Sequence, residues 1–285
     1  KMAEKNFQET RARLERNDLL KKEVSLATKY PYAELVKREY IEQTSNKEKR
    51  VENLWKFFGV NSLEYIQNTE VVAYRKKSGS GIKSESIATW LRCGELESRK
   101  ANLSEYSEQK LKESLVKIKH LTTKKPEEFS SQVVSILNNA GISLVYTPHF
   151  SGTGVSGAVR WVGNNPLIQL SLYGSFLDIF WFNLFHEIGH LVLHGKKEKF
   201  IEFNNRNLSS MQDKEKEADK FASNELIPEK SYLEFLENGL TKQGIINFAQ
   251  GLGVHPSIIA GRLCHDKKVK WNMVSALRPR LKFIQ

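Results

Sequence analysis

The stretch Phe180-Trp181-Phe182-Asn183-Leu184-Phe185-His186-Glu187-Ile188-Gly189-His190-Leu191-Val192-Leu193-His194-Gly195 constrains this chain more than any other. It is largely apolar, interrupted mainly by groups that can bind a metal or move a proton. Residues four apart on a helix project from one face, one turn above the other, so His186 and His190 can both reach one ion. Glu187, next to the first imidazole, is placed to touch a water beside that ion and not the ion itself, as a general base must. The residues from Phe176 to Phe182 are apolar nearly all round, which predicts a helix buried on most sides. Ser175 followed by Asp178 reads as its start signal and Gly195 as its stop. Burying His, Glu and His without partners costs several kcal/mol in desolvation, and a bound metal removes that objection.

The spacing is the H-E-x-x-H arrangement of zinc peptidases. Catalytic zinc takes three protein ligands and a water, so a third donor must come from elsewhere in the chain. The helical stretch Lys214-Glu215-Lys216-Glu217-Ala218-Asp219-Lys220-Phe221-Ala222 supplies the candidate. Glu215 and Asp219 are four apart and share a face, so Glu215 is the expected third ligand and Asp219 the group that orients a ligating imidazole. Glu217 points to roughly the opposite side and is the weaker candidate. Charge pattern alone would make this a solvated helix. Ala218 and Ala222, small residues beside that face, favour close approach to the histidine helix instead. His194, eight residues after His186, lies near the same face. Either it donates to the site or stabilises a transition state, or it completes the helix C-terminus beside Gly195. His149, after Pro148 in a loop, stays open in the same way. Two His and a carboxylate suit zinc, and they also suit manganese or iron.

The remainder supplies scaffold. Residues 1 to about 60 read as helices: a long exposed one with a thin apolar stripe, broken at Pro31, then Ala33 to Ile41, then Lys47 to Phe58. The start at Lys1-Met2 carries no helix-starting signal, as expected of a fragment or a processed form. Ser78-Gly79-Ser80-Gly81 reads as a loop or linker. Helices are expected around Glu85 to Leu96, Ser107 to Leu121, and Pro126 to Asn139. Then the period changes to short β-branched or aromatic runs at 142–147, 158–162 and 166–172, which read as strands. Strands followed by a buried helix make an α+β layout, a small sheet packed on a helix layer. One strand at the sheet edge is suited to lie beside an extended peptide. Thr241 to Leu263 fit two short helices around a Gly-containing turn, with packing favoured over DNA reading. The expected organisation is a helical region over 1–104, then a metal-binding domain over 105–285 that ends in this helical pair and a basic tail.

Composition narrows the class. Forty per cent hydrophobic and 27% charged residues describe a globular chain, and no apolar run is long enough to span a membrane. Cys93 and Cys264 are too few for a disulfide framework, and reduced thiols in a cytoplasmic protein are the expectation. The formal net charge of +11 permits contact with nucleic acid or an acidic partner without demanding it. Arg262, Lys267, Lys268, Lys270, Arg278, Arg280 and Lys282 read as a solvated tail.

Phe180 to Gly195, with Glu215-Lys216-Glu217-Ala218-Asp219-Lys220-Phe221-Ala222 and Leu226-Ile227-Pro228, resembles the ImmA/IrrE family of metallo-endopeptidase-like proteins. The likeness covers roughly residues 130 to 265. It implies a zincin-like metallopeptidase domain in which His186, His190 and Glu215 bind zinc and Glu187 is the base. It further implies cleavage of a helix-turn-helix repressor in stress, phage or toxin-antitoxin control. The helical first part resembles the region that, in one branch, follows a HigA-like helix-turn-helix, so DNA binding would need that missing domain and a toxin is an expected partner. Cys264 departs from the Gln often found at its place. The alternative is an antitoxin or transcriptional regulator whose zincin domain senses or docks with little proteolysis.

Overall fold

The computed structural model describes residues 18, 20–67, 83–171, 176–195, 208–237 and 240–282. The apolar stripe expected before residue 18, the Ser78-to-Gly81 linker and the Ser175 start signal lie outside the described residues. The chain forms two compact units, Lys1–Cys93 with His149–Gly154, and Gly94–Pro148 with Val155–Gln285.

The first unit holds a helix over residues 20–27 (α1), α2 (Tyr32–Lys37), α3 (Lys47–Phe58), α4 (Glu64–Gln67) and most of α5 (Ser84–Ser98). Asn46 accepts a hydrogen bond from the Lys49 N–H and starts α3, which ends at Gly59 as its sequence implies. The helix expected to run to Ile41 stops at Lys37. Glu39 takes a positive φ of 60°, and the N–H groups of Glu39 and Tyr40 turn back onto the carbonyls of Val36 and Leu35. These two bonds satisfy the last carbonyls of α2 and close it. Glu23 is fully buried, yet its carboxylate accepts from Trp55 Nε1, Ser62 Oγ and the Leu63 N–H, so its desolvation is offset.

The second unit is the α+β part. It contains α6 (Glu108–His120), α7 (Pro126–Asn139), the strands β1 (Ser143–Tyr146), β2 (Gly157–Val162) and β3 (Asn165–Leu170), and then the helix α8 (Leu177–His194). After these come α9 (Leu208–Leu226), α10 (Glu229–Glu237), α11 (Lys242–Leu252), α12 (Pro256–His265) and α13 (Trp271–Val274). The sheet order is β1-β3-β2, with β1 parallel and β2 antiparallel to β3. β2 and β3 are joined by Gly163-Asn164, and Gly163 takes the positive φ that a two-residue hairpin turn places at its first position. Among the described residues no helix is long and apolar enough to cross a membrane.

The core is built around α8. Trp181, Leu184, Phe185 and Ile188 are completely buried, each contributing about 1.5–3 kcal/mol on burial. The sheet and α12 pack against this helix, and α7 packs on β1 and sets Phe129 against Phe180 and Trp181. The α11–α12 pair buries Ile245, Ala249, Ile258, Ile259 and Leu263 in the same core. That is a packing role. Thr241 caps α11 through the Gly244 N–H, and the His255 ring caps α12 through the Ser257 N–H.

The basic tail corrects the expectation of a wholly solvated run. Lys267, Lys268, Lys270 and Lys282 are exposed, but Arg278 is built into the fold. It donates to Asp178 Oδ2 at 2.7 and 3.0 Å, in a pair whose side chains are 9% and 8% exposed. Its guanidinium also lies over the rings of Phe176 and Trp271. Arg262 likewise donates to the Ile227 carbonyl and covers Tyr232. Arginine suits such places because its planar, weakly hydrated head pairs and stacks at once, whereas the lysine head stays in water. Asp178 therefore lies in the first turn of α8 with a partner one hundred residues away.

Candidate metal centre

One turn of α8 brings His186 and His190 onto a common face, with their Nε2 atoms 3.1 Å apart. Opposite them, α9 presents Glu215. Its carboxylate oxygens lie 3.3 Å from His186 Nε2 and 3.4 Å from His190 Nε2. The donor atoms of these three residues all fall within 4.8 Å of one another, and the group could hold a metal ion. Asp219, one turn beyond Glu215, contacts His186 Nδ1 at 2.8 Å. A hydrogen bond there puts the proton on Nδ1 and turns the Nε2 lone pair toward the common point. The donor set therefore fits a divalent ion: two imidazole nitrogens and a carboxylate converge, and one imidazole is held in the ligating tautomer.

Two helices approach this closely because small residues line the contact. Ala218 and Ala222 are fully buried on α9. Facing them is Gly189, where an added Cβ would come within 2.9 Å of the Phe221 ring and 3.3 Å of Ala218 Cα. No sequence signal marks Gly189, since a glycine inside a helix reads as a liability of about 1 kcal/mol. A second glycine matters at the sheet. Gly157, the first residue of β2, leaves its Cβ space to the Glu187 carboxylate, which an added Cβ would meet at 2.7 Å. Glu187 is buried beside the histidines, with the edge strand against it.

The electrostatics favour a cation. Burial disfavours the charged form of His186, but the hydrogen bonds to Asp219 and Glu215 and the nearby charge of Glu187 outweigh it, raising its pKa to about 10. Three carboxylates thus surround a pair of imidazoles, inside a protein with a formal charge of +11. The field that holds a proton on His186 is the field that would hold a dication.

His194 extends the line of rings. Its centroid is 5.5 Å from that of His190, and it lies outside the converging set of three. Its Nε2 is 3.4 Å from the Lys214 carbonyl and its Nδ1 3.9 Å from Glu217, so it ties the end of α8 to α9. His149 belongs to the other unit, where its carbonyl accepts from Arg38.

Residues 166–263 match the model of the IrrE N-terminal-like domain, Peptidase_M78. The match spans β3 to α12 and so contains every residue of the cluster. It supports the ImmA/IrrE family for this stretch and a metallopeptidase in general. No curated protein and no solved structure matches the chain.

Proposed function

We propose that the protein is a zinc-dependent endopeptidase that cleaves a regulator, of the helix-turn-helix repressor kind, in stress, phage or toxin-antitoxin control. The observation that carries the reading is the convergence of His186, His190 and Glu215 beside the buried Glu187, within a stretch that matches a metallopeptidase domain. His186, His190 and Glu215 would hold the ion, and Asp219 would fix the His186 ring. When bound, zinc supplies Lewis-acid chemistry, polarising a peptide carbonyl and letting water lose a proton near pH 7. Glu187 takes that proton and delivers it to the leaving amine.

β2 supports the substrate side of the reading. Among the described strands it is an edge of the sheet, and its Gly157 lies against Glu187, so an extended peptide added along its outer edge runs past the base. The expected outcome is that Glu187→Gln keeps its metal and loses cleavage. A Glu187→Gln protein that cuts the regulator at the wild-type rate sinks the proposal.

The alternative is a regulator in which the same centre senses or docks with little turnover. It draws on the helical unit outside the matched stretch. Stable co-purification of intact regulator with metal-loaded wild-type protein favours it. Cleavage abolished by a chelator and restored by zinc counts against it.

A further inference from the structure

We propose that a cavity beyond the metal centre is a specificity subsite for a cationic side chain, an arginine or lysine of the substrate peptide about four residues from the scissile bond. The inference rests on the peptidase reading above and adds what the enzyme selects.

The cavity, about 580 Å³, is lined by Tyr106, Trp161, Glu105, Glu108, Asn164 and Gly195 among others. Its place follows from two elements that run side by side. β2 starts at Gly157, against Glu187, and reaches Trp161 four residues later, about 13 Å at about 3.3 Å per residue. α8 runs from Glu187 to Gly195 over eight residues, about 12 Å at 1.5 Å per residue. Both paths lead from the base to the same cavity. Strand alternation puts Trp161 on the face that carries Gly157 and Val159, the face toward α8. A peptide extended along the edge of β2 with its scissile bond at Glu187 therefore has a side chain over Trp161, four residues along and on the same face.

The lining chemistry selects the occupant. Tyr106 and Trp161 meet edge to face with centroids 5.1 Å apart, and Glu105 and Glu108 add two carboxylates. Among the described residues, no lysine or arginine lines the cavity. Glu108 shares its carboxylate with Lys112 at 2.6 Å, a solvent-exposed pair one helical turn apart that an incoming cation can replace. Aromatic rings attract a cation through their electron-rich faces, and a guanidinium adds bidentate pairing to a carboxylate. An anionic side chain would meet repulsion, and an aliphatic one would leave the carboxylates unused.

The test uses labelled decapeptides of alanine, serine and threonine with a single arginine or a single norleucine scanned through the positions. They are titrated against the full-length, zinc-loaded Glu187→Gln protein. The arginine peptides are expected to bind about tenfold tighter at one preferred register, a difference of about 1.4 kcal/mol. That preference falls with added salt and disappears in Trp161→Leu and, as a variant that spares the ring packing, in Glu105→Gln/Glu108→Gln. Equal or absent binding of the two peptide sets, or a preference that survives both variants, overturns the subsite. Wild-type protein that binds the arginine peptides selectively and leaves them uncut contradicts the peptidase reading while the subsite stands. Cleavage without arginine preference does the reverse.

Discussion

The helix α8 carries two ionic clusters of opposite design. At its N-terminal end Asp178 and Arg278 are matched one to one, nearly closed to solvent, and roofed by Phe176 and Trp271. At its middle, three carboxylates crowd two imidazoles, and Asp219 remains 55% exposed. The pair is balanced in charge, with Asp178 Oδ2 taking both bonds from Arg278. It holds the start of the helix against the C-terminal segment, where the Leu177 N–H also donates to the Pro279 carbonyl. The unbalanced cluster carries surplus negative charge that its own residues do not neutralise, and that surplus is what a divalent ion would answer. Charge imbalance, more than the presence of charge, separates a candidate site from a structural clamp.

Breaking the clamp has the largest effect expected on stability. Arg278→Ala leaves Asp178 buried without its cation and should cost about 3–5 kcal/mol, read from urea unfolding. A loss below about 1 kcal/mol would place this pair with ordinary surface ion pairs. The centre should respond chiefly in its affinity for zinc. Asp219→Ala removes the contact that orients His186, so zinc affinity should fall about 10–100-fold, and at neutral pH the metal-free protein should also lose the part of its stability that Asp219 supplies by raising the His186 pKa. Competition with a chromophoric chelator measures the first and denaturant titration the second. A variant that loses stability but keeps affinity would make Asp219 another clamp.

Acidity sharpens the contrast further. In the metal-free chain the folded pKa of His186 is raised from 6.5 to about 10. A raised pKa contributes stability that is fully present below pH 6.5 and lost as pH rises through about 10. Metal must displace that proton, so apparent zinc affinity should climb about tenfold per pH unit below pH 10. Affinity that is flat between pH 6 and 8 would mean that His186 carries no proton to displace.

Local spacing made much of this legible. The four-residue interval of His186 and His190, and that of Glu215 and Asp219, puts each pair on one helix face, and α3 and α7 keep the bounds that their caps and Pro126 imply. What stayed hidden is long-range. Asp178 looks like part of a helix start until its partner one hundred residues on is seen. Gly157 and Gly189 carry no side chain and no motif, and their value lies in what approaches them. The Tyr106–Trp161 cavity draws on segments about fifty residues apart, which no periodicity joins. The C-terminal lysines and Arg280 are exposed, as charge patterning implies, whereas Arg262 and Arg278 are packed, because a guanidinium can be packed and an ammonium resists it.

The central claim is that the unbalanced cluster is a metal centre. Equilibrium dialysis of the chelator-stripped protein against zinc at pH 7.5 tests it most directly, with wild type compared to Glu215→Gln. The account predicts one tightly held ion per chain in wild type and a loss of at least about a hundredfold in affinity when this ligand is removed. A wild-type chain that takes up no zinc, or a Glu215→Gln chain that binds it as tightly, would contradict the account.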